Sequence, residues 1–564
     1  MMKANRGLIV ALVLGLLLGI YATIPPAPRP ADAPSGLFSA GRAMADVRVI
    51  AARPHPTGSA ENAEVRRHLL LRMGALGMEV QTETALLPAK GLERLNRWSG
   101  RSDSAVTMTN VIGVLPGRDR SLPAVMLMSH HDTVWGSPGA ADDTTGVAAS
   151  LEVVRAIKAK GQPERDLIVL VTDAEELGLM GAKHFFANNP LRSRVGAIIN
   201  LEARGGGGRT NMFQTSAQNG AAMELYASHA EQPAASSLAA FIYSVLPNDT
   251  DLTPALEGNY TAYNIAFIGR SGLYHSPLIT PDRLDQGSVQ DMGDQTLELA
   301  DALLAKDGIP GKAPDRVFFD WLGVTTVHYP VGLGWLILAG AIAAFGFALR
   351  RDGTKGLGAG MLRFAALTVV AGLLSYVFNW VSLGGVKGEY YDRLAAIPRL
   401  EVIAALACLA AFAAVAGTWR ASTGAIVGFA TPLMVLAIYG QGAAPTAIYF
   451  LALPLLLVAL FLTLPAGRLR DYGAIAACAA LISYMLPLGH FVMQGVGAGM
   501  PYAAVLPFVL TVLAVLPLWQ GMDQPEARLT AGIAAGLALM LSLWVLLDAP
   551  ADTVAVYADT KSRS

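Results

Sequence analysis

The chain has 564 residues, a formal net charge of −1, and a composition that is 53% hydrophobic and only 15% charged. This composition, with a mean hydropathy of +0.43, is unusual for a soluble protein and indicates several membrane spans. The charge balance and the lack of a basic block argue against nucleic acid as a partner. The two cysteines, Cys408 and Cys478, lie in apolar runs, which excludes a disulfide framework and a cysteine-ligated zinc site.

The first predicted element is an N-terminal transmembrane anchor at residues 1–24. Its apolar run, GLIVALVLGLLLGIYATI at 7–24, follows Lys3 and Arg6. The run is about as long as a thin bilayer requires, which favours an anchor over a cleaved signal peptide. A Pro-rich linker, PPAPRPADAP at 25–34, is predicted to follow.

Residues 35–310 are predicted to form an α/β domain, because strand-like and helix-like patterns alternate there. This domain is expected to be exported, for the reason of loop charge given below. The clearest strands are AVMLMS at 124–129, DLIVLVTD at 166–173 and VGAIINLEA at 195–203, and a helix is predicted at 144–161. Strand–helix–strand units at this spacing predict an α/β/α sandwich with a mixed, mostly parallel sheet.

A linker at 311–330 is predicted to lead into an all-α membrane domain of about eight helices at 331–547. The apolar segments are 331–349, 364–383, 402–417, 424–440, 446–464, 473–492, 500–519 and 529–547. Alternate loops carry most of the basic residues: Arg350, Arg351, Lys355 and Arg363, then Arg420, then Arg468 and Arg470, then Arg528. The opposite loops hold only Lys387, Arg393 and Arg399. The positive-inside rule therefore places the α/β domain and the C-terminal tail at 548–564 outside the cytoplasm.

Acidic and imidazole side chains follow several predicted strands. They are His130, Asp132, Asp142, Asp143, Glu175, Glu176, Glu202 and, further along the chain, His275. Because sites collect at the carboxyl ends of parallel strands, one cleft is expected to gather them, and a cation would offset their repulsion. Imidazole and carboxylate ligands without thiolate suit zinc. Taken singly, the aspartates could be turn or N-cap residues and the two glutamates an exposed helical turn, but these readings do not explain why four separate loops each carry such a residue.

The motifs that hold these residues resemble those of the M28 family of co-catalytic zinc peptidases. They are HHDT at 130–133, GAADDTTG at 139–146, DAEELGLMGA at 173–182, NLEARGGGG at 200–208 and GLYHSP at 272–277. The chain layout is similar to the membrane-bound subgroup of vacuolar membrane proteases and endoplasmic reticulum metallopeptidases. The resemblance implies a zinc-exopeptidase-like sandwich with two zinc ions per chain.

The resemblance also implies roles for individual residues. The implied ligands are His130 and Glu202 for one zinc, Glu176 and His275 for the other, and Asp142 as the bridge. Asp132 would orient His130, and Asp143 would follow a cis peptide bond. Glu175 would be the general base, and Tyr274 is a candidate donor to the oxyanion, with a packing role as the alternative. His131 is expected to stand outside the site.

The function expected on this basis is a membrane-bound zinc exopeptidase, most simply an aminopeptidase acting on peptides on the non-cytoplasmic side. A peptide or amino-acid transporter and an inactive scaffold or receptor are the alternatives. Asp249 and Asp251 could recognise a free amino terminus, although an Asx turn accounts for them nearly as well. The expected compartment is a bacterial inner membrane with a periplasmic peptidase domain, the alternative being a vacuolar or reticulum membrane with a lumenal domain.

Overall fold

The computed structural model describes residues 4–385, 390–465 and 467–547. The predicted C-terminal tail at 548–564 lies outside these residues, as do Lys3 and Lys387. The described chain divides into two compact units: a membrane unit formed by residues 4–24 and 329–547, and an α/β unit formed by residues 25–328. Each unit is considered by itself.

Strands occur only in the α/β unit and at its C-terminal boundary among the described residues. They are β1 (Glu79–Leu86), β2 (Thr107–Leu115), β3 (Ala124–His130), β4 (Leu167–Thr172), β5 (Val195–Gly205), β6 (Thr210–Thr215), β7 (Thr261–Gly269), β8 (Arg316–Trp321) and β9 (Thr325–Pro330). The α-helices are α1 (Ala4–Thr23), α2 (Ala40–Ile50), α3 (Ala60–Ala75), α4 (Ala89–Ser99), α5 (Thr144–Lys160), α6 (Met180–Asn188), α7 (Gly220–His229), α8 (Ser237–Val245), α9 (Leu252–Ala255), α10 (Gln286–Leu304), α11 (Leu333–Asp352), α12 (Leu357–Ser382), α13 (Tyr390–Ala395), α14 (Ile397–Val415), α15 (Thr423–Ala443), α16 (Tyr449–Thr463), α17 (Arg468–Val496), α18 (Val505–Val515) and α19 (Gln524–Leu547).

The main sheet of the α/β unit is mixed, with the order β1-β2-β4-β3-β5-β7-β6. Strands β4, β3, β5 and β7 are mutually parallel, whereas β2 and β6 pair antiparallel to their neighbours. Because β1 is antiparallel to β2, it runs in the same direction as the central four strands. The predicted mixed, mostly parallel sheet is confirmed.

Alternate residues of the central strands enter two separate cores, one on each face of the sheet. Leu127 and Val169 pack on one face with side chains from α2, α3, α5 and α10. Met126 and Ile168 pack on the opposite face, against α6 and α9. Both faces are therefore covered, as the predicted α/β/α sandwich requires.

Two segments that we expected to be linkers are instead part of the α/β unit. In the Pro-rich segment, the Arg29 amide donates to Oε1 of Gln290 on α10 at 2.8 Å. In the segment 311–330, β8 and β9 form a two-stranded sheet, and Phe318 is buried in the core. The Ser237 hydroxyl donates to the Phe318 carbonyl at 3.0 Å. A hydrogen bond to α10 thus orders the Pro-rich segment. Strand pairing and the burial of Phe318 order the second segment.

The membrane unit contains seven described helices that are long and apolar enough to cross a bilayer: α1, α11, α12, α14, α15, α17 and α19. The predicted segments 446–464 and 500–519 correspond to shorter apolar helices, Tyr449–Thr463 and Pro501–Val515. The segments 402–417 and 424–440, which were predicted to be short, extend to 19 and 21 residues. Between α14 and α17, Oε1 of Glu401 lies 2.9 Å from Nδ1 of His490. Glu401 lies one residue before the predicted span 402–417.

Candidate metal centre

Four adjacent parallel strands deliver the predicted site residues to one edge of the sheet. His130 is the last residue of β3, Glu175 and Glu176 follow β4, and Glu202 lies near the end of β5. His275 lies six residues after β7 ends at Gly269. Since these strands are neighbours in the order β4-β3-β5-β7, their carboxyl ends bring together residues from distant parts of the chain.

Asp142 lies between two histidines and presents one carboxylate oxygen to each. Its Oδ1 is 3.1 Å from Nε2 of His130, and its Oδ2 is 3.0 Å from Nε2 of His275. Glu202 Oε2 lies 3.9 Å from Nε2 of His130, and Glu176 Oε1 lies 3.1 Å from Nε2 of His275. Asp142 is therefore shared by two groups of potential ligands.

The potential metal ligands form three overlapping groups in which the ligand atoms lie within 4.8 Å of one another. The groups are His130, Asp142 and Glu202; Asp142, Glu176 and His275; and His130, Glu175 and Glu176. The first two groups bring together all five residues that the sequence indicated as ligands. The third group adds Glu175, so proximity alone does not separate a ligand from a general base at this position.

A carboxylate behind the centre holds the two adjacent glutamates on the same side. The backbone amides of Glu175 and Glu176 donate to Oδ1 and Oδ2 of Asp132 at 3.0 and 3.2 Å. The chain turns at Ala174, whose φ of 61° is in the left-handed region. In a continuing strand the two glutamates would point to opposite faces, so this turn lets both enter one centre. Asp132 Oδ1 also lies 3.5 Å from Nδ1 of His130.

The peptide bond between Asp142 and Asp143 is cis, as the resemblance implied. The side chain of Asp143 points away from the groups of potential ligands and makes two backbone contacts. Its Oδ1 accepts the Gly146 amide at 3.1 Å and caps α5, and its Oδ2 accepts the His130 amide at 3.2 Å. Asp143 therefore stabilises the start of α5 and the end of β3 together.

The loop that carries His275 is held by ring stacking. His275 has a φ of 56°, and its ring stacks on that of Tyr274 with centroids 3.7 Å apart. The guanidinium of Arg204, at the end of β5, lies 5.9 Å from the Tyr274 ring centroid. Tyr274 thus lies beside a potential ligand, as expected, and its role as a donor remains a prediction.

Burial raises the pKa of the carboxylates in this centre, whereas hydrogen bonds with the histidines lower it. Burial, with the charges of Glu176, Asp251 and Asp142, raises the pKa of Glu175 well above its usual value, and burial likewise raises the pKa of Glu202. Burial would raise the pKa of Asp142 too, but the hydrogen bonds with His130 and His275 lower it overall. Without a cation, burial favours the protonated form of several of these carboxylates. A bound cation would stabilise their charged form. The donor set of carboxylate and imidazole without thiolate fits zinc.

A second row of buried polar residues contains Asp251, which the sequence analysis considered, and Asn200, which it did not. Asp251 is fully buried, its Oδ2 accepts the Thr172 hydroxyl, and burial raises its pKa to about 7. Asn200 is also fully buried and donates to Glu202 at 3.3 Å and to Asn264 at 2.9 Å. Within the described part of the chain, Oδ1 of Asp251 and Oδ1 of Asn200 have no hydrogen-bond partner. Asparagines inside apolar strand runs, at 200 and 264, are the signal that could have indicated this row.

Two other residues considered from the sequence lie outside the centre. Asp249 is exposed, and its Oδ1 accepts the Thr253 hydroxyl at 3.2 Å, which is a local turn contact. His131 accepts a bond from the Asn62 amide at 3.2 Å and donates to the Thr109 carbonyl at 3.0 Å. His131 is in none of the three groups of potential ligands, as expected.

A family model for a class of peptidases matches part of the chain. Residues 110–300 match the family model described as Peptidase family M28, so the chain contains an M28 peptidase domain. The chain is similar to endoplasmic reticulum metallopeptidase 1 from Mus musculus, at 32% identity over 51% of this chain and 34% of the relative. It is also similar to a vacuolar membrane protease from Schizosaccharomyces pombe, at 33% identity over 42% of this chain and 28% of the relative.

The chain spans about a third of the length of these curated relatives. Among solved structures it is similar to an aminopeptidase from Aneurinibacillus sp. strain AM-1, with 15% identity and a TM-score of 0.38. That likeness covers 50% of this chain and 97% of the aminopeptidase.

Proposed function

We propose that this chain is a membrane-bound zinc peptidase that removes residues from the amino terminus of peptides. The observation that carries this proposal is the position of Asp142, which offers one oxygen toward His130 and the other toward His275. A shared carboxylate between two groups of ligands suits a pair of metal ions. One ion would be held by His130, Asp142 and Glu202, and the other by Asp142, Glu176 and His275. All five ligand positions are intact, which disfavours an inactive scaffold.

The residues of the chain then have distinct tasks in hydrolysis. A bound pair of zinc ions supplies Lewis acidity that polarises the scissile carbonyl and acidifies water. Glu175 takes the proton from the attacking water and passes it to the leaving amine. Asp132 holds Glu175 and Glu176 through their backbone amides. Tyr274, whose ring stacks on that of His275, is proposed to donate a hydrogen bond to the developing oxyanion.

The buried acceptors beside the centre support an amino-terminal specificity. Oδ1 of Asp251 and Oδ1 of Asn200 are buried acceptors without a donor among the described residues. Such atoms are costly unless a donor reaches them. The ammonium group of a free amino terminus has three N–H donors, which is the chemistry that such acceptors require.

The test uses full-length protein purified in detergent and loaded with zinc. Peptides that are free or acetylated at their amino terminus are incubated with wild type, Glu175→Gln and the matched control Glu257→Gln, which alters an exposed glutamate. We expect stepwise loss of residues from free amino termini only, with wild-type rates in the control and a large loss in Glu175→Gln. Cleavage of acetylated peptides from the carboxyl end would contradict the amino-terminal assignment. No cleavage and no retained zinc would contradict the peptidase assignment and favour the transporter.

We further propose that the α/β unit lies on the non-cytoplasmic side of a membrane. The basic loops support this orientation, and several apolar helices support a multi-pass protein. Both native cysteines are buried, at 4% and 0% exposure, so they give a low labelling background. In spheroplasts, an impermeant maleimide should label Ser102→Cys in the α/β unit at once, but Thr354→Cys in the α11–α12 turn only after permeabilisation. The reverse pattern would contradict the proposed orientation.

A further inference from the structure

A cationic side chain, Arg204, lies at the outer end of a stack that begins at the metal centre. Glu202 and Arg204 are two residues apart on β5 and so share one face of the strand. The guanidinium lies 5.9 Å from the Tyr274 ring centroid, and the Tyr274 ring lies 3.7 Å from that of His275. His275 is buried, whereas Tyr274 and Arg204 are half-buried. Arg204 therefore lies at the partly exposed end of this stack.

The glycines that follow Arg204 hold it in register with the Tyr274–His275 loop. A side chain at Gly205 would place its Cβ 2.0 Å from the carbonyl oxygen of Gly269. The Gly206 amide donates to that same oxygen at 3.0 Å, and a Cβ at Gly206 would lie 2.5 Å from Leu273. The end of β5 thus packs directly on the segment leading to Tyr274. Arg204 is consequently positioned by the backbone rather than carried on a loose loop.

We propose that Arg204 binds a carboxylate of the substrate and makes this centre selective for short peptides that carry one, above all dipeptides. The inference rests on the proposed peptidase function and adds a substrate class to it. A guanidinium offers a planar fork of donors that matches a carboxylate. Arg204 therefore supplies a fixed positive charge beside the Tyr274–His275 stack, with which a substrate carboxylate can pair.

The two ends of a dipeptide would then be bound by groups of different kinds, acceptors at the ammonium end and a cation at the carboxylate end. The buried acceptors of Asp251 and Asn200 suit the ammonium end, and Arg204 suits the carboxylate end. An acidic side chain on a longer peptide presents the same group to Arg204. Separate substrates are therefore needed to tell whether Arg204 binds the α-carboxylate or a side-chain carboxylate.

The first test compares rates of hydrolysis by full-length, zinc-loaded protein. Ala-Ala is compared with Ala-Ala-amide for the α-carboxylate, and Ala-Glu-amide with Ala-Gln-amide for the side chain. We expect wild type to favour a carboxylate-bearing member by about tenfold or more in kcat/KM, the usual scale of one charge-assisted bond. Arg204→Gln should abolish this preference and Arg204→Lys should restore part of it. The control Arg270→Gln should keep the preference, because Arg270 pairs with Asp285 at 2.7 Å.

The second test measures binding without turnover. Calorimetry with reduced-amide analogues of Ala-Ala and Ala-Ala-amide, in which the scissile carbonyl is replaced by methylene, should show the same preference in Kd and its loss in Arg204→Gln. Equal affinity for both analogues and equal rates in both substrate pairs would overturn the inference, as would a preference that survives in Arg204→Gln. Absence of hydrolysis with a preserved binding preference would instead count against the peptidase function and leave Arg204 as a carboxylate-binding residue.

Discussion

The side-chain carboxylate of Asp132 accepts the backbone amide hydrogen of Glu175 at 3.0 Å, across the gap between the ends of β3 and β4. Its second oxygen accepts the amide hydrogen of Glu176 at 3.2 Å. Asp132 therefore determines where the β4 loop places two carboxylates, in addition to facing His130. Its effect on the centre is exerted through the backbone as well as through the imidazole.

We expect Asp132→Asn to reduce kcat by about 10- to 100-fold, the usual cost of losing a carboxylate behind a metal ligand. One of the two glutamate amides would face an N–H₂ group instead of an acceptor, and the turn at Ala174 would relax. The measurement is kcat together with zinc content per protein molecule. Asp166→Asn is the control, because Asp166 is a fully buried carboxylate that accepts the Gly117 amide near the start of β4. An equal loss of kcat in the control would indicate general destabilisation.

Substitution of Glu175 should impair catalysis, whereas substitution of Glu176 should impair metal binding. Glu175→Gln is expected to keep both zinc ions and lose about 10²- to 10⁴-fold in rate, the range for a general acid–base group. Glu176→Gln is expected to lose zinc from the group formed with Asp142 and His275. Zinc content by elemental analysis and rates at saturating zinc distinguish the two variants. Loss of zinc in Glu175→Gln would make Glu175 a ligand and require another base.

Glu298 on α10 should lower the stability of the α/β unit at neutral pH. Burial raises its pKa to about 7, with Asp294 and Glu231 adding to this rise, while Arg29 and the Glu231 amide oppose it. Because the folded state then binds more protons than the unfolded state between about pH 4.5 and 7, the free energy of unfolding falls as pH rises through this window. Glu298→Gln should remove that fall and stabilise the protein by about 1–2 kcal/mol at pH 8, after allowing for partial exposure.

The measurement for Glu298 is thermal unfolding of the full-length protein in detergent at about pH 5 and about pH 8. Glu93→Gln, which changes an exposed glutamate on α4, should leave the pH dependence as in wild type. A variant Glu298→Gln that gains nothing at pH 8 would show that this carboxylate is charged without penalty in the folded protein.

Helix α1 packs against α17 through small residues at every fourth position, Gly7, Ala11, Gly15 and Gly19. A Cβ at Gly15 would lie 2.7 Å from Cβ of Ile482. We therefore expect α1 to be retained as part of the membrane unit, and intact-mass analysis should find residues 7–24 in the mature protein. Gly15→Leu should lower thermal stability in detergent. Gly346→Leu, at a helical position with open space, should not.

The sequence predicted that these residues converge because they follow recognisable apolar strands. His130, Glu175–Glu176 and Glu202 each come at or just beyond the end of such a run, so parallel pairing alone brings them together. The left-handed turn at Ala174 was not predictable, since alanine gives no local signal for a positive φ. Asp251 was noticed, but its burial depends on packing against Thr172, which is distant in sequence.

The predicted linkers and the start of one predicted span differ from the structure, because tertiary contacts order residues whose composition had suggested a linker or a loop. The Pro-rich segment is polar enough to suggest a linker, yet Gln290 binds the Arg29 amide. Residues 316–321, RVFFDW, contain three consecutive apolar residues that are buried in β8, although the segment was predicted to be a linker. Glu401 was overlooked because the predicted span began at residue 402, whereas α14 begins at Ile397.

The sheet order has a consequence for how this protein matures. The centre takes side chains from the ends of β3, β4, β5 and the loop after β7, so no short stretch of the emerging chain holds a complete set of ligands. If zinc binds as proposed, the ion held by His130, Asp142 and Glu202 requires β3 and β5 to have paired, and the ion held by Asp142, Glu176 and His275 requires the end of β4 and the loop after β7 as well. Bound metal would then stabilise the paired strands by mass action. Occupancy of both positions would therefore require that the ends of all four strands have come together.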